Sequence, residues 1–505
     1  MKKNLAAARV VAAAAVVGLS SGLAMPVVMT QPAVAQEAAS PVVNSEATGS
    51  LTIHKRANPD STAAPTGNEQ QVGGTPLAGV GFTIYRINDV DLTTNDGLAA
   101  AANLSIGDYV NGTEVTGDVT PVATETTDEA GQIILSDLEL GAYIIVETGP
   151  LPGYAPASPF LAFVPMTQGN AETGGTSWNY DVHAYPKNYE STATKEVEDS
   201  NANAGDTIEF TITSDVPPVA DNATSISRYT VQDDLQENLI TTTPEQVSVD
   251  GFENGTHYTV AVDPATQQVT VEFTPAGLQL LTERRTADAS YQVVTTIEAA
   301  VLAPTDTGKL TNQATVITNN GSGGGDTTTE TNETVTYWGN VQITKVDAGD
   351  ENTFLEGAVF ELYTPGDNGR CEDGDQTEGQ RVTANGENQW TTNAEGLVTI
   401  EGLHVNDFED NGVTESADQA PVYCLFEIQS PAGYELLADP IELTLTQTAV
   451  DQAPGVYTLA AEVRNLRDTT PNLPMTGGMG IGLLAGIGAV LLAAAAWFAR
   501  RSSRS

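Results

Sequence analysis

Short runs in which apolar and polar residues alternate, broken by Gly, Pro, Asn and Asp, extend from residue 51 to residue 467. Examples are residues 82–85, 269–273 and 441–445. A period of two in runs this short indicates antiparallel β-strands. A helical period occurs only in patches, as at residues 277–284. The pattern therefore predicts an all-β chain built from tandem Ig-like β-sandwich domains.

Length and charge narrow the class of protein further. The chain has 505 residues, enough for about three domains of ordinary size. Its 66 acidic and 20 basic side chains give a formal charge of −46, which repels phosphate backbones and argues against nucleic-acid binding. Four histidines and two cysteines leave little material for a zinc cluster.

The first 35 residues have the layout of a secretory signal peptide. Lys2, Lys3 and Arg9 precede an apolar stretch at residues 10–23, and residues 33–35 read Ala-Val-Ala, a small-residue cleavage site. An N-terminal membrane anchor is the less favoured alternative, because the apolar stretch is short. We therefore expect export.

The C-terminus carries three elements in a fixed order. An apolar run at residues 479–499 is long enough to cross a bilayer as a helix, and an arginine-rich tail follows it. Four residues of a Leu-Pro-x-Thr-Gly motif precede the run: Leu473, Pro474, Thr476 and Gly477. The order resembles a sortase sorting signal, which implies cleavage after Thr476 and a thioester at its carbonyl until an amine attacks. An ordinary membrane anchor is the alternative.

Residues 36–476, the expected mature chain, contain only 14 basic side chains against 66 acidic ones, a formal charge of −52. Among the basic side chains only five are lysines: Lys55, Lys187, Lys195, Lys309 and Lys345. Because amines are so scarce, the position of each lysine is informative.

Two segments of the chain share a pattern. Each opens with an alternating strand that ends in lysine, at residues 51–55 and 341–345, and later contains a Tyr-to-Glu strand followed by Gly-Tyr. The segment between them is a different sandwich variant, and its Gly-rich stretch at residues 319–332 is either a hairpin loop or a linker. The expected divisions are a signal peptide at 1–35, sandwich domains at 36–188, 189–336 and 337–468, and a sorting segment at 469–505.

Strand alternation places a lysine on an apolar face near the start of each expected domain. Residues two apart in a strand share a face, so Lys55, Lys195 and Lys345 point into the cores. Glu147 and Glu427 are placed in the same way on later strands. Burial favours the neutral amine and the protonated acid.

A neutral amine is a nucleophile, and a protonated acid can polarise an amide carbonyl. Asn312 and Asn465 lie on the inward faces of late strands, where a lysine could attack the carboxamide and release ammonia. The product would be an amide crosslink between the first and last strands. The alternative is a buried Lys–Glu ion pair beside an unrelated Asn.

This arrangement resembles the isopeptide-bonded Cna B-type domains of Gram-positive pilins and related surface adhesins. The third domain has their Tyr-x-Leu-x-Glu and Pro-x-Gly-Tyr box at residues 423–434, the middle domain resembles a variant that uses an Asp, and the first departs from the box at residues 147–154. The resemblance implies three sets of lysine, asparagine and acid: Lys345, Asn465 and Glu427; Lys195, Asn312 and Asp233, with Asp234 as an alternative acid; and Lys55, Asn188 and Glu147.

Residues 178–188 resemble the pilin motif of sortase-assembled shaft pilins. The matching residues are Trp178, Val182, Tyr185, Pro186, Lys187 and Asn188, whereas Ala184 replaces a valine. A regular strand here would direct Val182, Ala184 and Asn188 inward and His183, Tyr185 and Lys187 outward. Pro186 would disturb edge pairing and help to keep Lys187 accessible. An exposed lysine on a domain linker is the alternative.

The resemblance implies the major subunit of a secreted, cell-wall-anchored fimbria, in which sortase joins Thr476 of one subunit to Lys187 of the next. Such a head-to-tail contact does not close and grows into a filament. The implied partners are identical subunits, a pilus-specific sortase, a housekeeping sortase with peptidoglycan, tip or minor pilins, and a host or bacterial receptor. We expect no cofactor, no nucleic acid and no turnover enzyme. A monomeric wall-anchored adhesin is the alternative.

The two cysteines, Cys371 and Cys424, fall in the third expected domain. In an exported protein an even number of cysteines favours a disulfide, with two free thiols as the alternative. Four acidic residues crowd one nearby loop: Asp367, Glu372, Asp373 and Asp375. They lack the spacing of an EF-hand, so a solvated acidic loop is favoured over a calcium site.

Overall fold

The computed structural model describes residues 42–58, 66–111, 114–169, 176–220, 223–236, 238–366, 369–372, 374–414 and 422–469. The expected signal peptide and the sorting motif lie outside these residues. Within the described ranges, no helix has the length and apolar character needed to cross a membrane. The expected all-β class is confirmed, since three β-sandwiches follow one another along the chain.

The first sandwich contains short strands and one helix, α1 (Asn95–Ala101), with a 3-10 turn at Ile106–Asp108. Its strands are β1 (Gly49–His54), β2 (Arg56–Ala57), β3 (Thr75–Pro76), β4 (Gly81–Ile87), β5 (Val110–Asn111), β6 (Glu114–Val115), β7 (Val119–Thr126), β8 (Gln132–Leu138), β9 (Gly141–Gly149), β10 (Tyr154–Ala155), β11 (Phe160–Val164), β12 (Met166–Gly169), β13 (Thr176–Asn179), β14 (Asp181–Ala184) and β15 (Lys187–Glu190). The sheets β14-β1-β8 and β10-β15-β2-β3 form one side and β11-β9-β4-β7 the other. Leu51 and Ile53 of β1 meet Phe82 and Tyr143 in the core between them.

Strand β9 of the first sandwich is buried on both faces. Its outward residues Ala142, Ile144 and Val146 are covered by a second apolar cluster that includes Val90 and Leu92 from the segment between β4 and β7. That segment contains α1, which Thr94 caps by accepting a hydrogen bond from the Gly97 N–H. Period-two alternation did not indicate this covering layer.

The middle sandwich consists of two five-stranded sheets, β16-β17-β23-β19 with β20 also on β23, and β21-β22-β18-β25-β26. Their strands are β16 (Ala193–Glu198), β17 (Thr207–Asp215), β18 (Arg228–Asp234), β19 (Ile240–Thr241), β20 (Val247–Val249), β21 (Tyr258–Val262), β22 (Gln268–Phe273), β23 (Gln292–Val301), β25 (Ala314–Asn319) and β26 (Thr327–Glu330). Strand β24 (Lys309–Asn312) lies between β23 and β25 in the chain and pairs with the first strand of the third sandwich. A 3-10 turn at Pro244–Gln246 precedes β20. The expected helical patch is α2 (Pro275–Ala287), whose Leu281 packs into the core. The Gly-rich stretch joins β25 to β26, so it is a hairpin and not a linker.

The third sandwich pairs a sheet centred on β27 with the sheet β30-β29-β34-β35. Its elements are β27 (Thr334–Asp347), β28 (Asp350–Phe354), β29 (Val359–Tyr363), a 3-10 turn (Glu378–Gln380), β30 (Trp390–Thr391), β31 (Leu397–His404), β32 (Phe408–Glu409), β33 (Gly412–Val413), β34 (Tyr423–Gln429), β35 (Ile441–Leu443), α3 (Gln447–Gln452) and β36 (Thr458–Asn465). The first residues of β27 pair with β24, and the rest pair with β31 and β36. One strand thus passes from the middle sandwich into the third.

Neighbouring sandwiches are in direct polar contact. The β25–β26 hairpin meets the first sandwich, where Thr328 O accepts a hydrogen bond from the Gly153 N–H at 2.9 Å. At the other junction, Asn203 Oδ1 accepts from the His404 N–H at 3.0 Å and from the Tyr423 hydroxyl at 3.1 Å. These bonds tie the middle sandwich to both of its neighbours.

Candidate isopeptide triads and acceptor lysine

In the first and third sandwiches, the first and last strands lie side by side and run parallel, whereas purely antiparallel sheets were expected. Strand β36 pairs with β27 so that Asn465 is the partner of Asp347, two residues after Lys345. Strand β15 pairs with β2 so that Asn188 is the partner of Ala57, two residues after Lys55. Because residues two apart share a face, both registers bring lysine and asparagine into the same core.

The third sandwich brings Lys345, Glu427 and Asn465 into mutual contact. Lys345 Nζ donates to Asn465 Oδ1 and lies 3.2 Å from Glu427 Oε1. Asn465 Nδ2 donates to both oxygens of Glu427 at 2.8 Å. The carboxyl group therefore faces the nitrogen that would leave as ammonia, and the amine lies beside the amide that it would attack.

Burial sets the chemistry of Lys345. Its side chain is 0% exposed and its Nζ lies 5.6 Å from the centroid of the Phe360 ring. Desolvation lowers the pKa of Lys345 below its ordinary value, although Glu427 acts in the opposite direction. The low pKa favours the neutral, nucleophilic amine.

The Tyr-x-Leu-x-Glu box lies on β34, with Tyr423, Leu425 and Glu427 all facing the core. The second half of the box forms the turn that follows, where Gly433 has φ +84°, a backbone conformation that glycine adopts without strain. The Tyr434 hydroxyl then donates to Asp347 Oδ2 at 2.9 Å. The box therefore holds the acid strand against the lysine strand.

The first sandwich assembles Lys55, Glu147 and Asn188 despite its irregular box. Lys55 Nζ donates to Glu147 Oε2 at 2.7 Å, and Asn188 Nδ2 donates to Glu147 Oε1 at 2.9 Å. All three side chains are buried, and desolvation lowers the pKa of Lys55. Asn188 Oδ1 is buried without a hydrogen-bond partner among the described residues. The unpartnered oxygen belongs to the carbonyl that the lysine would attack.

The middle sandwich brings Lys195 to Asp233, whose Oδ2 accepts from the lysine amine, whereas Asp234 is exposed. Burial lowers the pKa of Lys195 and raises the pKa of Asp233. Asn312 is buried beside Asp233 and lowers the pKa of Asp233 somewhat. Among the described residues, neither Nδ2 nor Oδ1 of Asn312 makes a hydrogen bond of normal geometry. A buried amide without partners is costly, so conversion to a crosslink would remove an unfavourable group.

Sequence reasoning missed the backbone groups that orient the glutamates. The Leu437 N–H donates to Glu427 Oε2 at 2.8 Å, and the Ala157 N–H donates to Glu147 Oε2 at 2.9 Å. Each donor lies 10 residues after its glutamate. No side-chain type marks a backbone donor, so only the equal spacing from the glutamate could have indicated it.

Lys187 lies at the start of β15 and is half-exposed, while the next residue, Asn188, is fully buried. Its register partner is Arg56, and no acceptor among the described residues binds its amine. Val182 is buried and Ala184 packs against the core, as alternation predicts. His183 and Tyr185 lie on the opposite face but are also partly covered, by residues 66–70. Trp178 lies on β13, paired with Thr167.

Lys309 is the other lysine with an exposed side chain among the described residues. Its side chain is 38% exposed, and its Nζ makes an ion pair with Asp451 at 2.8 Å. The hydrogen bond to Asp451 raises the pKa of Lys309. Lys309 is therefore held as a cation in an ion pair, whereas the Lys187 amine has no such partner among the described residues.

The disulfide between Cys371 and Cys424 is present. Cys424 lies on the outward face of β34, where it joins an apolar cluster with Tyr363 and Phe426. The bond ties the segment after β29 to the strand that bears Glu427. In the acidic loop, Asp367 and Asp373 lie outside the described residues.

Comparisons with known proteins agree over most of the chain. Residues 46–189 match the family described as Gram-positive pilin subunit D1, N-terminal domain, and residues 339–454 match the prealbumin-like fold domain SpaA. Fimbrial subunit type 2 of Actinomyces naeslundii is 32% identical, over 89% of this chain and 88% of that protein. Fimbrial subunit type 1 of Actinomyces viscosus is 30% identical, over 92% of each.

Solved structures show the same architecture. The full-length major pilin SpaD from Corynebacterium diphtheriae has 30% identity and a TM-score of 0.66, covering 85% of this chain and all of that one. The major pilin SpaA from the same organism is similar in fold, with a TM-score of 0.60 and 23% identity. The chain is thus a structural subunit of a polymerised surface fimbria and not an enzyme. It belongs to the family of Gram-positive fimbrial subunits.

Proposed function

We propose that this chain is the shaft subunit of a sortase-assembled fimbria in which Lys187 of one copy is joined to Thr476 of another. A sortase thiolate takes the Thr476 carbonyl and releases the Gly477 amine. The Lys187 amine then attacks the thioester, loses a proton and frees the thiolate, which leaves one amide bond between copies. Repetition of the step gives a head-to-tail filament.

The observation that carries this proposal is the state of the five lysines of residues 36–476. Lys55, Lys195 and Lys345 have side chains that are 0% exposed, each beside an acid of its own sandwich. Lys309 is paired with Asp451. Lys187 is half-exposed and has no acceptor on its amine among the described residues. It is therefore the amine best placed to react with another molecule.

We also infer that the three buried triads form internal isopeptide bonds. The neutral lysine attacks the carboxamide carbon and forms a Lys Nζ–Asn Cγ bond. The acid donates its proton to the amide nitrogen and takes up the proton that the lysine nitrogen loses, and the Asn Cγ–Nδ2 bond breaks to release ammonia. The contacts within the Lys345 and Lys55 triads and the unpartnered Asn312 amide support this inference. The acids are Glu427, Glu147 and Asp233.

The remaining expectations complete the proposal. The signal peptide at 1–35 directs export, the domains are 36–188, 189–336 and 337–468, and the last subunit is attached to peptidoglycan by a housekeeping sortase through the segment 469–505. A boundary at 336 would lie within β27, so the middle and third domains would be joined by a continuous strand. Tip or minor pilins and a receptor are the further partners.

An immunoblot of cell-wall extracts tests the acceptor role directly. In cells that make the pilus sortase, we expect a high-mass ladder from the unchanged protein and from Lys309→Ala, but only monomer from Lys187→Ala. Lys187→Arg keeps the charge but not a reactive amine and should also remain monomeric. A ladder that persists in Lys187→Ala would overturn the proposal. Absence of a ladder from the unchanged protein would favour the monomeric adhesin.

A further inference from the structure

Two histidines contact each other on the strands next to the acceptor lysine. His54 ends β1 and His183 lies in β14, which pairs with β1. His54 Nε2 lies 2.9 Å from His183 Nδ1, and the two rings are stacked. The residue His54 is 7% exposed, and the His183 side chain is 13% exposed. A hydrogen bond between two imidazoles needs a protonated nitrogen on one ring and an unprotonated nitrogen on the other, so the contact couples the protonation of the two rings.

The neighbours of the pair assign the position of each proton. Gln132 Nε2 lies 3.3 Å from His54 Nδ1, so the amide donates and His54 carries its proton on Nε2. That proton is donated to His183 Nδ1, and His183 carries its own proton on Nε2, which lies 3.5 Å from Asp181 Oδ2. With these assignments each imidazole uses one ring nitrogen as a donor and the other as an acceptor, and the hydrogen bonds run in one direction from β8 to β14.

The charged groups around the pair come from every neighbouring segment. They are Arg56 on β2, Glu69 in the segment between β2 and β3, and Asp181 on β14, which also accepts from the Ser50 hydroxyl of β1. Burial, His183 and Arg56 lower the pKa of His54, whereas Glu69 raises it. A single added proton can be shared between the rings, but a second would place two cations in direct contact.

The pair is connected to the acceptor lysine through Tyr185. The Tyr185 ring stacks on His54 with centroids 4.5 Å apart, and its hydroxyl accepts a hydrogen bond from the Gln70 N–H at 2.7 Å. Lys187 follows Tyr185 by two residues and pairs with Arg56 in the ladder that continues from β1 and β14. Movement of Tyr185 from His54 would therefore change the position of the Lys187 backbone.

We propose that the His54–His183 pair is a pH-dependent positioning device. It holds β14 and Tyr185 against β1 when the pair has taken up at most one added proton, and it releases them when both imidazoles are cations. The consequence for fibre assembly rests on the proposed role of Lys187, whereas the structural effect does not. His54 and His183 are positioning residues, since neither contacts the reacting atoms.

The direction of the effect follows from linkage. When β14 separates from β1, the imidazoles are solvated and take up protons near their ordinary pKa of about 6.5. The closed state binds fewer protons, so its stability falls as the pH falls below that value. Each extra proton bound by the open state changes the closed-to-open ratio by up to tenfold per pH unit.

Hydrogen exchange of the intact chain tests the structural effect without a sortase. Protection factors, which are corrected for the intrinsic pH dependence of exchange, are measured for residues 181–187 between about pH 7.5 and pH 5. We expect protection to fall by tenfold or more in the unchanged protein and in His257→Gln, a control in the middle sandwich. The double variant His54→Gln/His183→Gln keeps hydrogen-bonding side chains but cannot titrate, and its protection should not change with pH. If the protection of residues 181–187 in the unchanged protein does not change with pH, the proposal is overturned.

Nitrogen NMR of the imidazoles provides a second measurement that needs no variant. We expect an Nε2-protonated tautomer for both rings, with the first added proton shifting the signals of both together. Two independent titrations near the ordinary value would contradict the shared proton.

Polymerisation with purified sortase tests the effect on Lys187. The ratio of polymer formed by the unchanged protein to polymer formed by the double variant should fall as the pH falls. The enzyme's own pH dependence cancels in this ratio. If that ratio is constant while protection falls, the pair is a pH-sensitive contact but does not position Lys187.

Discussion

Lys187 and Asn188 are consecutive residues of β15 that serve opposite sides of the strand. Asn188 is fully buried and donates to Glu147, whereas Lys187 is half-exposed beside Arg56. Under the proposed chemistry Asn188 would be bonded within its own subunit, and Lys187 would be bonded to another copy. Tension that enters the subunit at Lys187 would then pass through Asn188 to Lys55, which directly follows the first strand.

Intact mass measures the three internal bonds at once. We expect residues 36–476, purified without sortase, to be lighter than the mass of the disulfide-bonded sequence by three molecules of ammonia, because each triad places a lysine and an asparagine beside one buried acid. Glu147→Ala, Asp233→Ala and Glu427→Ala should each restore one ammonia. The uncorrected sequence mass in the unchanged protein would remove all three bonds from the proposal.

The bond in the third sandwich should contribute strongly to stability. It would join Lys345 and Asn465 across 120 residues of chain, and closing a loop of that length corresponds to about 5 kcal/mol in the loop-entropy approximation. We therefore expect Glu427→Ala to lower the free energy of unfolding of this sandwich by several kcal/mol, as measured by chemical denaturation.

Glu435→Ala is the matched control for that variant. The backbone carbonyl of residue 435, which faces Asn465 Nδ2, is unchanged in this variant, and the Glu435 side chain is exposed. The variant should therefore retain both the Lys345–Asn465 bond and the free energy of unfolding of the unchanged protein. Equal stability of the two variants would mean that the Lys345–Asn465 contact remains non-covalent.

Much of the candidate site could be predicted from the sequence, because strand alternation has a short and reliable period. It placed Lys55, Lys195 and Lys345 inside their sandwiches, and all three are fully buried. The resemblance named Asp233 as the acid of the middle domain and left Asp234 as an alternative, and the two adjacent residues of β18 face opposite sides of the strand. Only the structure shows Asp233 buried beside Lys195.

Other features depend on contacts that are distant in sequence. The burial of Ala142, Ile144 and Val146 on the outward face of β9 requires the segment between β4 and β7 to cover the sheet. Parallel pairing of β27 with β36 is fixed by topology and not by side-chain period. His183 was expected on an outward face, but the segment over β14 leaves it largely buried.

The disulfide should stabilise the third sandwich independently of the isopeptide chemistry. It closes a loop of 53 residues, which corresponds to at most about 4 kcal/mol in the loop-entropy approximation. We expect Cys371→Ser/Cys424→Ser to lower the melting temperature while leaving the ammonia deficit unchanged, because Cys424 lies on the face of β34 opposite Glu427. If the double variant instead keeps the mass of one ammonia, the Glu427 site depends on the disulfide.

The middle sandwich allows a pH prediction when its bond is blocked by Asn312→Ala, which leaves Lys195 and Asp233 buried together. Burial raises the pKa of Asp233 from 3.8, so the stability that this residue contributes is present at low pH and is lost as the pH rises through its folded pKa. Burial lowers the pKa of Lys195 from 10.5, so the stability that it contributes is present at high pH and is lost as the pH falls through its folded pKa.

The two residues together should therefore make Asn312→Ala least stable between those limits. The reference is Asn312→Ala with Lys195→Met and Asp233→Asn, which removes both titrating groups and leaves the rest of the acidic surface unchanged. The difference in free energy of unfolding between the two variants should become less unfavourable towards either end of the pH range, with a slope of at most about 1.4 kcal/mol per pH unit. Chemical denaturation at several pH values measures it. A difference that does not vary with pH would mean that Lys195 and Asp233 keep their ordinary pKa values in the folded domain, and the neutral amine required for attack would not be favoured by burial.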